Sequence, residues 1–245
     1  MKHAALPAAA LVAMALLAPA AHAQSGLYSQ VTLTSDYRYQ GVSSSQNRPV
    51  VQGVLHHFRP DGWYAGVFAT EVDYGYAQSP SYELDVYGGK TLKLDGKTDL
   101  KLQALASVFP DDRTPGPTLN FVQGGVSLIR REGPLTLTGL ATYVPEGSYG
   151  AGQVWRVEGG ADYALGRGVT LKALAGHQAS GRRPDRTYWS FGAELRWKHL
   201  IFGTTYQDTD LTPRECGFTP KICRPAVTGA VTAVLPLILF PERRR

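Results

Sequence analysis

Three observations predict an all-β chain, a transmembrane antiparallel up-and-down β-barrel of about twelve strands. Hydrophobic residues recur with a period of two, tight turns alternate with longer polar connections, and an export signal comes first. Composition agrees, with 27 Gly and 13 Tyr but only 2 Met. Charged residues make up 18%, below the roughly 25% of ordinary soluble domains. Hydrophobic content of 43% is modest for a helical membrane protein.

The export signal occupies residues 1–23. Lys2 and His3 form a weakly basic start, Ala4 to Ala20 is apolar, and Ala21-His22-Ala23 supplies the small residues a signal peptidase requires. No charged stop-transfer flank follows, so cleavage after Ala23 is expected, with Gln24 opening the mature chain. The barrel is expected over 24–240, followed by a basic tail, 241–245, that ends in Arg243-Arg244-Arg245.

Along the mature chain, the first stretch is LYSQVTLTSDYRY, where Val31, Leu33, Tyr37 and Tyr39 alternate with Gln30, Thr32, Asp36 and Arg38. A turn at Pro60-Asp61-Gly62 and another at Asp95-Gly96-Lys97 lead to DLKLQALASV. There Leu100, Leu102, Ala104, Ala106 and Val108 oppose Asp99, Lys101, Gln103 and Ser107. After the turn at Glu132-Gly133-Pro134, WRVEGGADYAL sets Trp155, Val157, Ala161, Tyr163 and Leu165 against Arg156, Glu158 and Asp162. Beyond Gly166-Arg167-Gly168, WSFGAELRW sets Trp189, Phe191, Ala193, Leu195 and Trp197 against Ser190, Glu194 and Arg196. A turn at Lys198-His199 follows. The last segment, Ala226 to Phe240, is the most apolar; as a helix it is too short to span and Pro236 breaks it. As a closing strand ending near Leu235, it would turn Val227, Val231, Ala233 and Leu235 to lipid, opposite Thr228, Ala230 and Thr232.

Longer polar connections are expected near 40–49, 73–81, 109–119, 145–153, 178–187 and 209–225. Alternating short and long connections is the asymmetry of outer-membrane barrels, and an even strand number returns both termini to the periplasmic side. A soluble sandwich alternates too, but its polar faces meet water rather than a lumen. Three features favour the membrane: alternating turn lengths, charges of both signs in mid-strand on the polar faces, and aromatics at expected strand ends, with Tyr37, Tyr39, Tyr143, Trp155, Trp189 and Tyr206 near the long connections and Phe58, Trp63, Tyr163 and Trp197 near the short turns.

The only cysteines, Cys216 and Cys223, share one Pro-rich segment and are expected to pair in an oxidising periplasm. A metal site lacks support, since neither a histidine nor a second cysteine pair is nearby; no metal or cofactor is expected. The formal charge of +5 forms no basic stripe with interleaved aromatics, which argues against nucleic acid as a partner.

SDYRYQGVSSSQNRPVVQG, residues 35–53, resembles the opening of the TorF-like porin family, Gcw_chp. The matching positions are Ser35, Asp36, Tyr37, Arg38, Tyr39, Gly41, Ser43, Pro49, Gln52 and Gly53. Similar stretches follow at 63–74, 82–90, 157–165 and 188–211, so the resemblance covers nearly the whole mature chain. It implies a porin barrel of the bacterial outer membrane without a defined substrate. One departure concerns the end: family members close on a strand with Phe at or near the carboxylate, a signal resembling that read by barrel-assembly machinery. This chain runs on past Phe240 through Pro241 and Glu242.

In such a barrel the lumen-facing charges would be Asp36, Arg38, Glu83, Asp85, Asp99, Lys101, Arg156, Glu158, Asp162, Lys172, Glu194 and Arg196. They would either filter small polar solutes by charge and size or pair across strands and fill the interior. The hydroxyl-rich loop Ser43 to Asn47, beside Asp36 and Arg38, could meet a solute at the mouth or simply be solvated. The expected role is passive diffusion of small polar solutes, with outer-membrane lipid around the barrel. A non-conducting structural or adhesion barrel is the alternative, and an outer-membrane lipid-modifying enzyme a weaker one. For the enzyme, His177 and Ser180 are the nearest base and nucleophile, with Asp185 in a loop; residues three apart start on opposite faces of a strand. No catalytic residue is therefore assigned. Solute, charge selectivity, an open or plugged lumen and oligomeric state do not follow from these residues.

Overall fold

Alternation along each segment becomes twelve barrel strands in the computed structural model, which describes residues 26–216 and 219–239. They are β1 (Gly26–Thr34), β2 (Val50–Phe58), β3 (Trp63–Glu71), β4 (Tyr82–Lys93), β5 (Thr98–Val108) and β6 (Phe121–Glu132). The second half comprises β7 (Leu135–Gly147), β8 (Gly152–Gly166), β9 (Val169–Ser180), β10 (Arg186–Trp197), β11 (Leu200–Thr209) and β12 (Ala226–Leu239). Each strand pairs antiparallel with its chain neighbours, and β1 pairs with both β2 and β12, which closes the ring. Closure removes every free edge, so each strand's backbone groups find partners inside the protein.

The two faces of this ring reverse the usual order of a protein in water. Val227 is 70% exposed and Phe191 59%, whereas Thr32 is 1% and Thr142 4% exposed. Apolar side chains therefore look outward and polar ones look into the enclosure. Such a surface is stable only against hydrocarbon. Trp63, Trp155, Tyr163 and Trp197 stand on the outer face near strand ends, where amphipathic rings suit a membrane interface.

Phe58, Tyr37 and Tyr39 do not join that girdle. Phe58 faces inward and stacks on His56, while the two tyrosines lie beyond β1, which ends at Thr34. The first strand stops short of Tyr39 because Asp36 finds better partners in a folded loop, described below. Connections 148–151 and 181–185 are also shorter than expected, since β7, β8, β9 and β10 run on toward that rim. At the opposite rim, β12 passes Pro236 and reaches Leu239. Proline is tolerated because the register with β1 shifts there, and β11 pairs with β12 only as far as Ala233. A missing N–H costs little at a bulge where the ladder is already interrupted. The signal segment, Phe240 and the basic tail lie outside the described residues.

The interior is not polar throughout. Val54, Tyr64, Phe68, Tyr87 and Leu105 form a buried cluster on the enclosed face of β2 to β5, with Tyr37, Phe58 and Phe121 packed against it. Two of these rings rest on glycines: a Cβ at Gly66 would meet Tyr87 Cζ at 2.5 Å, and one at Gly89 would meet the Tyr64 hydroxyl at 2.5 Å. Only hydrogen leaves room for a tyrosine to lie flat across the neighbouring strand. This cluster fills part of the enclosure on the side of β2 to β5.

Candidate functional site: the capped mouth of the barrel

The connection 35–49 turns back into the barrel instead of standing up from its rim. Its nucleus is the buried Asp36 carboxylate, which accepts hydrogen bonds from Ser43 Oγ at 2.5 Å, Ser45 Oγ at 2.9 Å and Arg38 Nη1 at 3.0 Å. A carboxylate removed from water demands such partners, and the nearby Ser-Ser-Ser run supplies two of them within a few residues. Arg38–Tyr39 pairs with Val42–Ser43 as a small hairpin, with positive φ at Gln40 and Gly41 in its turn. Gly41 lies against the end of β11: a Cβ there would sit 2.4 Å from the Asp208 carbonyl oxygen. The hairpin tip could not approach so closely with any other residue.

From that tip the loop reaches several walls. Tyr37 donates to Glu83 Oε2 on β4 at 3.2 Å. Burial first, and then the Glu83 charge, push the Tyr37 hydroxyl well above its ordinary range, so it keeps the proton it donates. Tyr39 accepts from the Arg156 guanidinium on β8, and Gln40 accepts from Arg186 on β10. Both guanidiniums also lie over the Tyr39 ring, at 5.6 Å and 6.0 Å from its centre, a cation–π arrangement.

Arg38 joins this loop to another. Besides Asp36, it donates to the carbonyls of Gly41 at 2.5 Å, Ile222 at 3.2 Å and Arg224 at 2.6 Å. Ile222 and Arg224 belong to the connection 210–225, where the Cys216–Cys223 disulfide and a short 3-10 turn, Pro220–Cys223, form a buried knot. The expected disulfide is thus present, and its place is against the inward loop. On the other flank, Asp73 N donates to the Ser44 carbonyl at 2.7 Å, and Arg48 ion-pairs with Asp73. Val72, Phe109 and Leu119, with Tyr74 and Tyr149, add an apolar contact between further connections at this rim. The long-connection end is therefore a packed cap.

Beneath the cap and against β6 to β10 lies a cavity of about 310 Å³. Tyr39 and Val42 of the inward loop and Ile222 and Cys223 of the knot form one side, while Gln123, Thr142, Arg156, Gln178 and Arg186 form the wall side. Apolar and cationic groups meet in one half-open space.

The charges singled out from the sequence fall into separate groups. Asp36 and Arg38 are buried in the inward loop, not on β1, and pair with each other. Glu83 and Asp85 are buried on the enclosed face of β4, near Ser107 and Tyr37; neither forms an ion pair among the described residues. Asp99 pairs with Arg131 at 2.9 Å. Lys101 Nζ sits 4.5 Å from the Tyr64 ring centre. Arg156 approaches Glu158 at 3.5 Å, and Glu158 also accepts from Tyr188 at 2.6 Å. Lys172 lies between Asp162, at 3.9 Å, and Glu194, at 3.0 Å. Arg196 is solvent-exposed near the end of β10.

Sequence reasoning missed Arg131, Arg186, Arg183 and the apolar cluster. Arg131 obeys the inward period of β6 with Ser127, but its place beside a turn hid it. Arg186 fell in an expected loop, whereas β10 begins with it. Leu105 interrupts the polar face of Gln103 and Ser107, and Tyr87 that of Glu83 and Asp85; those breaks were the available signal. His177 and Ser180 do not meet. His177 is exposed and contacts Thr187 Oγ1 at 3.1 Å, whereas Ser180 lines the cavity and contacts Gln178.

A family model described as a bacterial protein of unknown function, Gcw_chp, matches residues 20–236. The chain belongs to this family. Among solved structures, this Gcw_chp chain is similar to the KdgM porin, with a TM-score of 0.58 at 8% identity over 86% of this chain and 99% of that one. It is similar to the NanC porin, with a TM-score of 0.58 at 12% identity over 87% of this chain and all of that one, 100%. KdgM has also been solved in complex with disordered oligogalacturonate, and that structure matches with a TM-score of 0.58 at 6% identity over 86% of this chain and 99% of that one. Such low identities establish a shared fold, a porin-like barrel. No curated protein matches the chain.

Proposed function

We propose that this protein is an outer-membrane channel through which small polar solutes diffuse passively. The observation that carries the reading is the reversal of its two faces, with exposed apolar side chains around an enclosed polar wall. Lipid covers the outer face, and the wall of β6 to β12 offers a path on one side of the enclosure. Paired charges such as Lys172 with Asp162 and Glu194 set a field along that path without leaving buried ions uncompensated. The shared fold with porins, one of them solved with an acidic oligosaccharide, supports solute passage. Export with cleavage after Ala23, delivery by barrel-assembly machinery and loops facing the cell exterior belong to the same reading.

Conductance of the refolded protein in planar lipid bilayers tests it. Discrete ohmic steps are expected, and a folded barrel that inserts without passing current would sink the proposal. A second reading has support of its own, because the cap and the apolar cluster both narrow the enclosure. In that reading the barrel is a closed structural element, and removing residues 38–47 would open a current where the intact chain passes none.

A further inference from the structure

Cations outnumber carboxylates among the described residues that line the cavity under the cap. Arg156, Arg183 and Arg186 line it, and among the described residues Glu215 is its only lining carboxylate. That carboxylate is engaged, accepting from the Thr212 amide at 2.8 Å and hydroxyl at 2.6 Å. Arg156 has one acidic neighbour, Glu158. Among the described residues Arg186 and Arg183 form no ion pair; their contacts are the Gln40 and Gln178 side-chain oxygens and the Tyr149 carbonyl. Two further acids are held by backbone amides: Asp185 accepts from that of Ser180, and Asp210, whose charge also acts on Arg186, from that of Thr187.

A second observation points to a missing ligand. Arg156 is 6% exposed with its Nε 3.5 Å from Glu158 Oε1, whereas the buried Nε of Arg186 has no hydrogen-bond partner among the described residues. An unmet donor on a buried guanidinium is costly unless the group is compensated by an acceptor at its other nitrogens. The remaining wall is greasy, with Val144, Val154 and Ile222 in the same cavity. A fully hydrated inorganic anion gains nothing from those side chains, whereas an organic anion with an apolar body gains from both.

We propose that this cavity is a binding site for small organic anions, their carboxylate held by Arg156, Arg183 and Arg186 and their apolar body seated between Val144 and Val154 of the wall and Ile222 of the knot. The proposal rests on the diffusion reading for its purpose, since it would select solutes at the mouth, but the cavity stands independently of it. Guanidinium groups match a carboxylate's planar pair of oxygens, which favours it over a halide.

The test uses the full refolded barrel and three probes: sodium benzoate, sodium sulfate and neutral benzyl alcohol. Isothermal titration should show benzoate binding at least about tenfold tighter than either other probe. In bilayers benzoate should reversibly reduce the potassium chloride current, and Arg183→Gln with Arg186→Gln should raise its half-blocking concentration by about tenfold or more. The doubly substituted chain must keep the mobility of a folded barrel on an unheated gel; Arg186→Lys alone, which retains charge, should lose less. Benzoate binding no tighter than benzyl alcohol or sulfate, or unaltered in the double variant, overturns the site. Binding in a barrel that passes no current overturns passive diffusion and leaves the site standing.

Discussion

Arg38 Nη2 donates to the Arg224 carbonyl at 2.6 Å, and through that bond a loop near the start of the barrel holds one near its end. The guanidinium is fully buried and its anion, Asp36, nearly so. This contact makes the mouth one packed unit instead of a fringe of separate loops, and the behaviour of the cap follows from it.

Replacing Arg38 with alanine leaves the Asp36 carboxylate buried without its cation and frees three carbonyls. Breaking a buried pair by removing one partner costs roughly 3–5 kcal/mol. The cost falls on the cap, because the strand ladder does not involve these groups. Chymotrypsin, which finds Tyr37 and Tyr39 in one connection and Leu211 in the other, should cut the 35–49 and 210–225 connections of Arg38→Ala much faster than those of the parent, with the barrel intact. Equal cleavage rates would show that the latch holds nothing.

Cys216→Ser with Cys223→Ser removes the staple from the knot that Arg38 grips. Roughly 2 kcal/mol of loop stabilisation should go, the lower part of the range for disulfides. Barrel formation should survive, with faster hydrogen exchange confined to the cap. In the parent, alkylation under denaturing conditions without reductant should leave both sulfurs unlabelled, as the bond between them requires.

Gly66→Val puts carbon where the Tyr87 ring lies, 2.5 Å from its Cζ and 2.8 Å from the Leu55 carbonyl oxygen. The ring must leave its groove, disturbing the cluster of Phe68, Tyr64 and Leu105. Overpacking of this kind costs about 1–3 kcal/mol. Urea unfolding in detergent micelles should show a lowered midpoint. An unchanged midpoint would mean that the cluster adds little to stability.

Charge on the two faces should have opposite consequences. Val126 is exposed in the middle of β6, so Val126→Arg places a cation in hydrocarbon, at a cost of about 2–4 kcal/mol near the midplane. Ser190 lies within β10 on the face opposite the exposed Phe191, and Ser190→Lys should fold nearly as well as the parent. Comparable refolding yields in lipid for the two variants would contradict the inside–outside assignment.

Much of this architecture was legible because a membrane strand is written in short-range code. Alternation in WRVEGGADYAL and WSFGAELRW depends only on which neighbour faces lipid, so residues two apart reveal it. Pairing of Cys216 with Cys223 was legible for a similar reason, since both sit on one short segment. What could not be read was anything decided between distant segments. Asp36 and Arg38 keep the polar parity of β1, yet they leave it, because Ser43, Ser45 and the Arg224 carbonyl offer a buried charge more than a strand position does. Arg186 looked like loop and became wall; its significance depends on Tyr39 and Gln40 arriving from across the barrel.

The chain alone thus determined a closed antiparallel sheet with a greasy outside, because hydrocarbon imposes its demand residue by residue along each strand. Tertiary structure alone decided how far the interior is filled and how the mouth is shaped. The physical reason is that an enclosed space has many ways to satisfy its polar groups and fill its volume. Only the assembled ring fixes which side chains, far apart in sequence, share that space.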